Sequence, residues 1–134
     1  IEENIGISKD FNNFELQKAI GHLDHKKAYQ IVNYFAQNHK QHPFVLTISI
    51  LYMYFSKLMT LNTVPNKNPA AVSKALGVNP YFVNEYISVS RNFPMKRISK
   101  VLETLRVYDL KSKGVGANLS PKDLYRELVY NILK

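Results

Sequence analysis

Hydrophobic residues recur every three or four positions along most of the chain, which is the period of an amphipathic α-helix. The first two such stretches carry Phe14, Leu16, Ala19 and Ile20, then Ala28, Ile31, Val32 and Phe35. Strict alternation of apolar and polar residues, which indicates a β-strand, is nearly absent. The pattern therefore predicts an all-α protein, a compact bundle of about seven helices with short connections.

Several prolines follow residues that can cap a helix, and proline suits the first helical turn because it has no N–H to leave unbonded. These pairs are His42-Pro43, Asn68-Pro69, Asn79-Pro80 and Ser120-Pro121. His42 is the weakest of the caps, and Asp24 is a further candidate, for the second helix. Asp123 follows Ser120 by three positions, which places negative charge at the positive end of the helix dipole. The last helix is therefore predicted to begin near Pro121 and to run to the end.

Two glycines mark breaks between predicted helices in the first two thirds of the chain. Gly21 separates the first two helices. Gly77 is placed as a left-handed C-cap between short helices over residues 69–76 and 80–93, where a side chain would be disfavoured. We expect Gly77 to have a structural role.

A long helix is predicted to begin after Pro94 and to end at Gly114, a second glycine with a structural role. Asp109 falls near the edge of the apolar arc of this helix. A carboxylate that is buried and unpaired costs several kcal/mol. We therefore expect a structural role for Asp109, paired with a Lys or Arg or accepting from backbone N–H groups.

The stretch from Pro43 to Ser56 contains no charged residue and is apolar almost all round, which is typical of a helix in the centre of a core. A membrane span needs roughly 20 apolar residues. This run contains Thr47 and Ser49 and meets Lys57, so it is predicted to be too short for a span. We expect no membrane partner.

The chain has 134 residues, 46% of them apolar, which is enough for one domain with a real core. Lys and Arg exceed Asp and Glu by 18 to 10, so the net charge of +8 favours acidic partners, nucleic acid first among them. The absence of cysteine excludes disulfides and thiolate metal sites and fits a cytoplasmic setting. The acidic, polar N-terminus is not a signal peptide, and because it begins without Met we expect a longer parent chain.

Sequence motifs that carry chemistry are missing. There is no GxxxxGK[ST], GxGxxG or GxSxG motif, so the sequence predicts neither a nucleotide-binding loop nor a catalytic nucleophile. Two histidine pairs, His22 with His25 and His39 with His42, have a spacing of three but no adjacent carboxylate motif. Solvated histidines at helix ends are the favoured interpretation. We therefore expect no catalytic residue, no metal, no cofactor and no small-molecule substrate.

Basic charge is concentrated between Arg91 and Lys113, where the chain carries seven basic residues and two acidic ones. The candidates for contact with DNA or another phosphate are Lys96, Arg97, Lys100 and Lys111. Such contacts give salt-dependent affinity without sequence selectivity. An ordinary solvated lysine face explains the same pattern equally well.

Residues 71–83 have the layout of a helix-turn-helix, with a short helix, Gly77 at the turn and an apolar Val83 six places on. The second helix would present Asn79, Tyr81, Phe82, Asn84 and Glu85 instead of the Arg, Gln and Lys that usually read DNA. We therefore favour two helices that pack against each other over a DNA-reading motif. A helix-turn-helix DNA-binding domain is the alternative function.

The order of these segments resembles a known family, the C-terminal domain of the bacterial DNA polymerase III delta subunit, a clamp-loader component. The resemblance covers about Ile5 to Leu133 and rests on Phe14–Ile20, His25–Phe35, Ile50–Lys57, Ala75–Val83, Ser90–Phe93 and Leu105–Gly114. Three of these segments are similar to the family elements LGV-x-PY-x-V, AR-x-F and D-x-x-K-x-G. Ser90 stands where the family more often has Ala, and Lys111 and Lys113 bracket the position of the family lysine.

The resemblance implies an all-α fold of the clamp-loader collar type and a non-catalytic role, although the parent holoenzyme is a DNA-directed DNA polymerase, a nucleotidyltransferase. Residues 1–10 would be the tail of a connector from a preceding AAA+ lid domain, and residues 11–134 the helical collar domain. Implied partners are the other clamp-loader subunits through the collar, the sliding clamp through an N-terminal domain that this chain does not contain, and primed DNA. The implied location is the bacterial cytoplasm, at the nucleoid-associated replisome.

A collar domain needs side chains that face neighbouring subunits, and tyrosine suits interfaces that are partly wet. Nine tyrosines with no tryptophan are more than one small core needs. The predicted interface residues are Tyr52, Tyr54, Tyr81, Tyr86, Tyr125 and Tyr130.

Overall fold

A computed structural model describes residues 10–116 and 118–134 of the chain. These residues form seven α-helices and one short 3-10 helix, and none of them lies in a strand. The α-helices are α1 (Asn13–Gly21), α2 (His25–Gln37), α3 (Phe44–Thr63), α4 (Pro69–Leu76), α5 (Val83–Ser90), α6 (Met95–Ser112) and α7 (Pro121–Leu133). The all-α prediction is confirmed. The connector predicted for residues 1–10 lies, apart from Asp10, outside the described residues.

Side-chain caps fix several of the helix starts where the sequence places them. The Asp24 carboxylate accepts from the backbone N–H of Lys27 at 3.1 Å and begins α2. The Ser120 hydroxyl accepts from the N–H of Asp123 at 3.2 Å and begins α7. Asn68 likewise caps α4.

The predicted cap at His42 is wrong. Pro43 occupies the N-cap position of α3, which has no side-chain cap. The His42 ring is instead stacked on the Phe35 ring, with centroids 4.3 Å apart and an angle of 13° between the planes. The stacked imidazole makes no cap hydrogen bond to the N–H groups at the start of α3.

Gly21 and Gly77 have different physical roles. Gly77 is the left-handed residue after α4, with φ of 68°, as predicted. α1 ends at Gly21, but the residue with positive φ in the turn is Leu23. A Cβ on Gly21 would lie 2.7 Å from the Tyr54 hydroxyl and 2.9 Å from a methyl of Val89. Gly21 therefore permits close contact of α1 with α3 and α5, a role that its place between two helices did not indicate.

The segment predicted as one helix over residues 80–93 is divided. It starts as a 3-10 helix at Pro80–Phe82, continues as α5 and ends at Ser90. The Asn79 side chain accepts from the N–H of Tyr81 at 2.8 Å, so the first turn is tied to a local cap. The turn that follows α5 leads to Pro94, where α6 begins.

The core lies along α3, which packs on α6, while α2 packs on α7. Leu51, Phe55 and Leu58 are almost fully buried there, and the Phe55 ring meets the Phe93 ring edge-on at 5.0 Å. A smaller apolar cluster joins the end of α3 to α4 and α5 through Leu61, Val72, Leu76 and Val83. This arrangement confirms α3 as the central helix.

The length argument against a membrane span is wrong, because α3 has 20 residues and is long and apolar enough to cross a bilayer. Burial of Leu51, Phe55 and Leu58 inside the bundle accounts for the apolar character of one side of α3. The opposite side is exposed.

Candidate interaction surfaces

Tyr125 belongs to the core, so its prediction as an interface residue is wrong. The side chain is fully buried, and its hydroxyl donates to the carbonyl oxygen of His42 at 2.8 Å and lies 2.9 Å from the Thr47 hydroxyl. Burial raises the pKa of Tyr125 to about 12. The ring and the hydroxyl make their contacts within the domain, so they cannot contact a neighbouring subunit.

Tyr54 is also buried, which corrects its assignment to the interface. Its ring packs between Phe55 and Tyr86, with centroids 5.4 Å away in each case. Among the residues that the structure describes, its buried hydroxyl has no hydrogen-bond partner. Burial raises the pKa of Tyr54 well above its ordinary value, so the group stays neutral.

Tyr54→Phe is expected to raise the free energy of unfolding by about 1 kcal/mol, because a buried hydroxyl without a partner carries a desolvation penalty. Urea denaturation followed by circular dichroism measures the change. Tyr125→Phe is the matched control and should change stability in the opposite direction, since the Tyr125 hydroxyl is bonded. A loss of stability in Tyr54→Phe would show that its hydroxyl is satisfied.

The other predicted interface tyrosines differ in exposure and position. Tyr86 is half-buried, whereas Tyr52, Tyr81 and Tyr130 are exposed by 50%, 83% and 60%. The three exposed rings lie on α3, on the 3-10 helix and on α7. They are therefore spread over three elements.

The exposed side of α3 forms an uncharged stripe that the sequence did not reveal. We call it the α3 ridge and define it as Val45, Ser49, Tyr52, Met53 and Ser56. Spacings of three and four keep these residues on one face of the helix. Met53 is 59% exposed and Val45 47%. Large exposed apolar side chains grouped on one helix face are typical of a protein-binding surface.

Shallow hollows flank Tyr52 and Met53 on both sides. One hollow of about 420 Å³ is bordered by Arg106 and Asp109 of α6. The other, of about 330 Å³, is bordered by Ala75 at the end of α4. The two side chains therefore stand as a ridge between grooves, the shape against which another helix packs.

The predicted phosphate-binding residues do not form one group. Lys96 and Lys100 are exposed on the same side of α6. Arg97 donates to the carbonyl oxygens of Asn92 and Leu133, both at 3.3 Å, so its guanidinium already has partners within the domain. The Lys111 ammonium lies 4.7 Å from the centre of the Tyr108 ring, about 16 Å along the helix from Lys100.

Asp109 has the basic partner that the sequence predicted. Its carboxylate accepts from the Lys113 ammonium at 3.1 Å, one turn further along α6. Gly114 follows with φ of 87°, and its N–H donates to the Lys111 carbonyl at 3.0 Å. The contacts of Asp109 and Gly114 therefore both lie at the C-terminal end of α6.

The helix-turn-helix interpretation meets the same chemical difficulty in the structure as in the sequence. Val83 is buried, and the Phe82 ring packs edge-on against Phe14 with centroids 6.1 Å apart. Glu85 is paired with His22 of the turn after α1. The 3-10 helix and α5 together thus offer a carboxylate and aromatic rings, and α5 carries no Lys or Arg for phosphate groups.

Residues 10–121 match the family described as DNA polymerase III delta subunit, C-terminal domain. The chain belongs to this family. Comparison with curated proteins and with solved structures gives no match. The matched range contains the α3 ridge and all of α6, while most of α7 lies beyond it. Membership makes the chain a clamp-loader component of bacterial DNA replication and assigns its helical bundle to the collar type.

Proposed function

We propose that this domain is a subunit-assembly module in the collar of the clamp loader, and that the α3 ridge contacts a neighbouring subunit. Residues 11–134 would form the module, and residues 1–10 would link it to a preceding AAA+ lid domain. The single observation that carries the proposal is the exposed, uncharged ridge on the central helix of a family member.

The composition of the α3 ridge agrees with this role. The cores of protein interfaces are depleted of charge and enriched in Tyr and Met. Tyr52 and Met53 supply such side chains, and the small Ser49 and Ser56 beside them allow a partner helix to approach closely. Because α3 is also the central helix of the core, a force applied to the α3 ridge would be transmitted directly to the rest of the bundle.

The proposed role needs no reaction centre. Among the described residues, no three His, Asp or Glu side chains are grouped to hold a metal ion. The module would act by adhesion, with the other loader subunits as partners in the bacterial cytoplasm. Contact with the sliding clamp would come from an N-terminal domain of the parent chain, and any catalytic work from other subunits.

The test replaces Tyr52 and Met53 together by glutamate in the full-length delta subunit. Burying two carboxylates in an apolar contact should weaken assembly with the other loader subunits by about 30-fold or more. Co-purification and sedimentation of the mixed subunits measure the effect. Circular dichroism checks that the variant is folded, which we expect because both side chains are exposed.

The matched control places the same two charges elsewhere, as Met95→Glu with Val115→Glu. Both side chains are exposed, by 38% and 57%, and both lie outside the α3 ridge. This control should assemble like the unmodified subunit. Normal assembly of the Tyr52 and Met53 variant, or equal loss in the control, would disprove the role of the ridge.

A further inference from the structure

A small aromatic pocket lies where α1, the 3-10 helix and α5 meet. We call it the Phe14 pocket. It has a volume of about 240 Å³, and its lining residues include Phe14, Lys18, Tyr54, Phe82, Glu85 and Tyr86. All of its lining residues differ from those that form the α3 ridge, so the proposed assembly role does not use it.

Four aromatic rings line the pocket, and contacts within the domain hold them in place. The Phe14 and Phe82 rings meet edge-on with centroids 6.1 Å apart, and the centroids of the Tyr54 and Tyr86 rings are 5.4 Å apart. The 3-10 helix that carries Phe82 has a side-chain cap at its start. A ligand would therefore meet a preformed surface, which lowers the entropy lost on binding.

The size and the aromatic surroundings of the pocket suit one inserted side chain. Its volume of about 240 Å³ is below the roughly 300 Å³ at which pockets for small-molecule ligands usually begin. Phe14 is 50% exposed at the pocket, and the 83% exposed Tyr81 lies next to it, with its ring 5.1 Å from that of Phe82. Exposed aromatic side chains grouped around a depression are typical of a protein-binding hot spot. An aromatic side chain from a partner would gain ring–ring contacts in addition to burial.

Lys18 adds a charge that selects the residues beside such an anchor. Lys18 is exposed, and no carboxylate in residues 10–116 and 118–134 forms an ion pair with its ammonium group. Glu85, the acidic residue that lines the pocket, is paired with His22. The net charge of +8 also attracts acidic segments from a distance. The charges around the pocket therefore favour a carboxylate next to the inserted side chain.

We infer that the Phe14 pocket binds an acidic peptide segment of a partner protein. One aromatic side chain of that segment would insert among the four rings, and a neighbouring carboxylate would accept from the Lys18 ammonium. The pocket would give the domain a second docking site, separate from its contact with neighbouring subunits through the α3 ridge.

Fluorescence anisotropy of a labelled peptide, Ser-Gly-Asp-Asp-Phe-Asp-Gly-Ser, titrated with the 134-residue chain, tests the inference. Replacing the Phe of the peptide by Ala should weaken binding by about 30-fold, because the anchor supplies most of the binding free energy. Replacing every Asp of the peptide by Lys should weaken binding by about tenfold, and this difference should shrink as salt is added.

Two variants of the chain test the two sides of the contact. Phe14→Ala should weaken peptide binding by about tenfold, whereas Tyr130→Ala, which removes a 60% exposed ring on α7, should bind normally. Lys18→Glu should weaken binding by about tenfold at low salt. Its matched control, Lys26→Glu, makes the same change of charge at an exposed lysine of α2. Circular dichroism checks that each variant is folded.

Three outcomes would overturn the inference. Equal loss of binding in Lys18→Glu and Lys26→Glu would mean diffuse attraction to net charge. Binding of the Ala peptide as tightly as the Phe peptide would mean that no side chain is inserted. A dimer of the chain alone in sedimentation, abolished by Phe14→Ala, would mean that a second copy occupies the pocket. The Tyr52 and Met53 substitutions should leave peptide binding unchanged, so failure here and failure of the assembly role are separate results.

Discussion

Replacing Tyr125 by alanine is expected to lower the free energy of unfolding by about 3–5 kcal/mol. The ring is fully buried, and it meets the rings of Phe35 and Phe44 edge-on with centroids 5.8 and 4.9 Å away. Truncation would leave a cavity where α2, α3 and α7 meet, and would remove the partner of the His42 carbonyl. Chemical denaturation followed by circular dichroism measures the loss.

Tyr125→Phe separates the ring from the hydroxyl. It keeps the packing and removes only the contacts to Thr47 and His42, so a loss of about 1–3 kcal/mol is expected. The alanine variant should therefore be clearly less stable than the phenylalanine variant. If Tyr125→Ala loses less than about 1 kcal/mol, the three helices do not depend on this ring as argued.

Gly21→Ala is expected to lower the free energy of unfolding by about 1–3 kcal/mol, although alanine is the better helix former by about 1 kcal/mol. The new Cβ would lie 2.7 Å from the Tyr54 hydroxyl and 2.9 and 3.0 Å from two methyl carbons of Val89. Neither neighbour can move freely, because Val89 is fully buried and the Tyr54 ring is packed between Phe55 and Tyr86. Thermal and urea unfolding report the change.

A double-mutant cycle with Tyr54→Phe gives the control. Removing the Tyr54 hydroxyl removes the nearest atom, so Gly21→Ala should cost less in the Tyr54→Phe background than in the unmodified chain. The remaining loss reports the contact with Val89. Additive effects of the two substitutions would show that Gly21 and Tyr54 are not in the close contact described.

The sequence predicted the candidate surfaces less well than the helices, and α3 explains why. Its residues are apolar almost all round, so no periodicity distinguishes the buried Tyr54 from the exposed Tyr52 and Met53 two or fewer positions away. The uncharged small residues Ser49 and Ser56 share the exposed face, and their spacing of seven was the available signal. Counting tyrosines could not separate core from interface, because a tyrosine suits both.

The basic segment between Arg91 and Lys113 shows the same limit of prediction from sequence. Lys96, Arg97 and Lys100 are neighbours in sequence, yet Arg97 turns inward to the end of α7 while the two lysines face solvent. Lys134 lines the same hollow between α6 and α7 as Lys96 and Lys100, yet it is 34 positions from Lys100 in the chain. Its participation depends on how α7 packs against α6, and no local pattern contains that information.

The sequence by itself determined much of the local structure: the caps at Asp24, Asn68 and Ser120, the helix starts that they fix, and the left-handed conformation of Gly77. These features depend on hydrogen bonds and steric limits within a few residues, so short motifs encode them. Only the tertiary structure decided that Gly21 is a packing residue, that Tyr54 and Tyr125 are buried, and that one side of α3 stays uncovered. These properties depend on which helices lie against each other, and they are fixed by contacts between residues far apart in the chain.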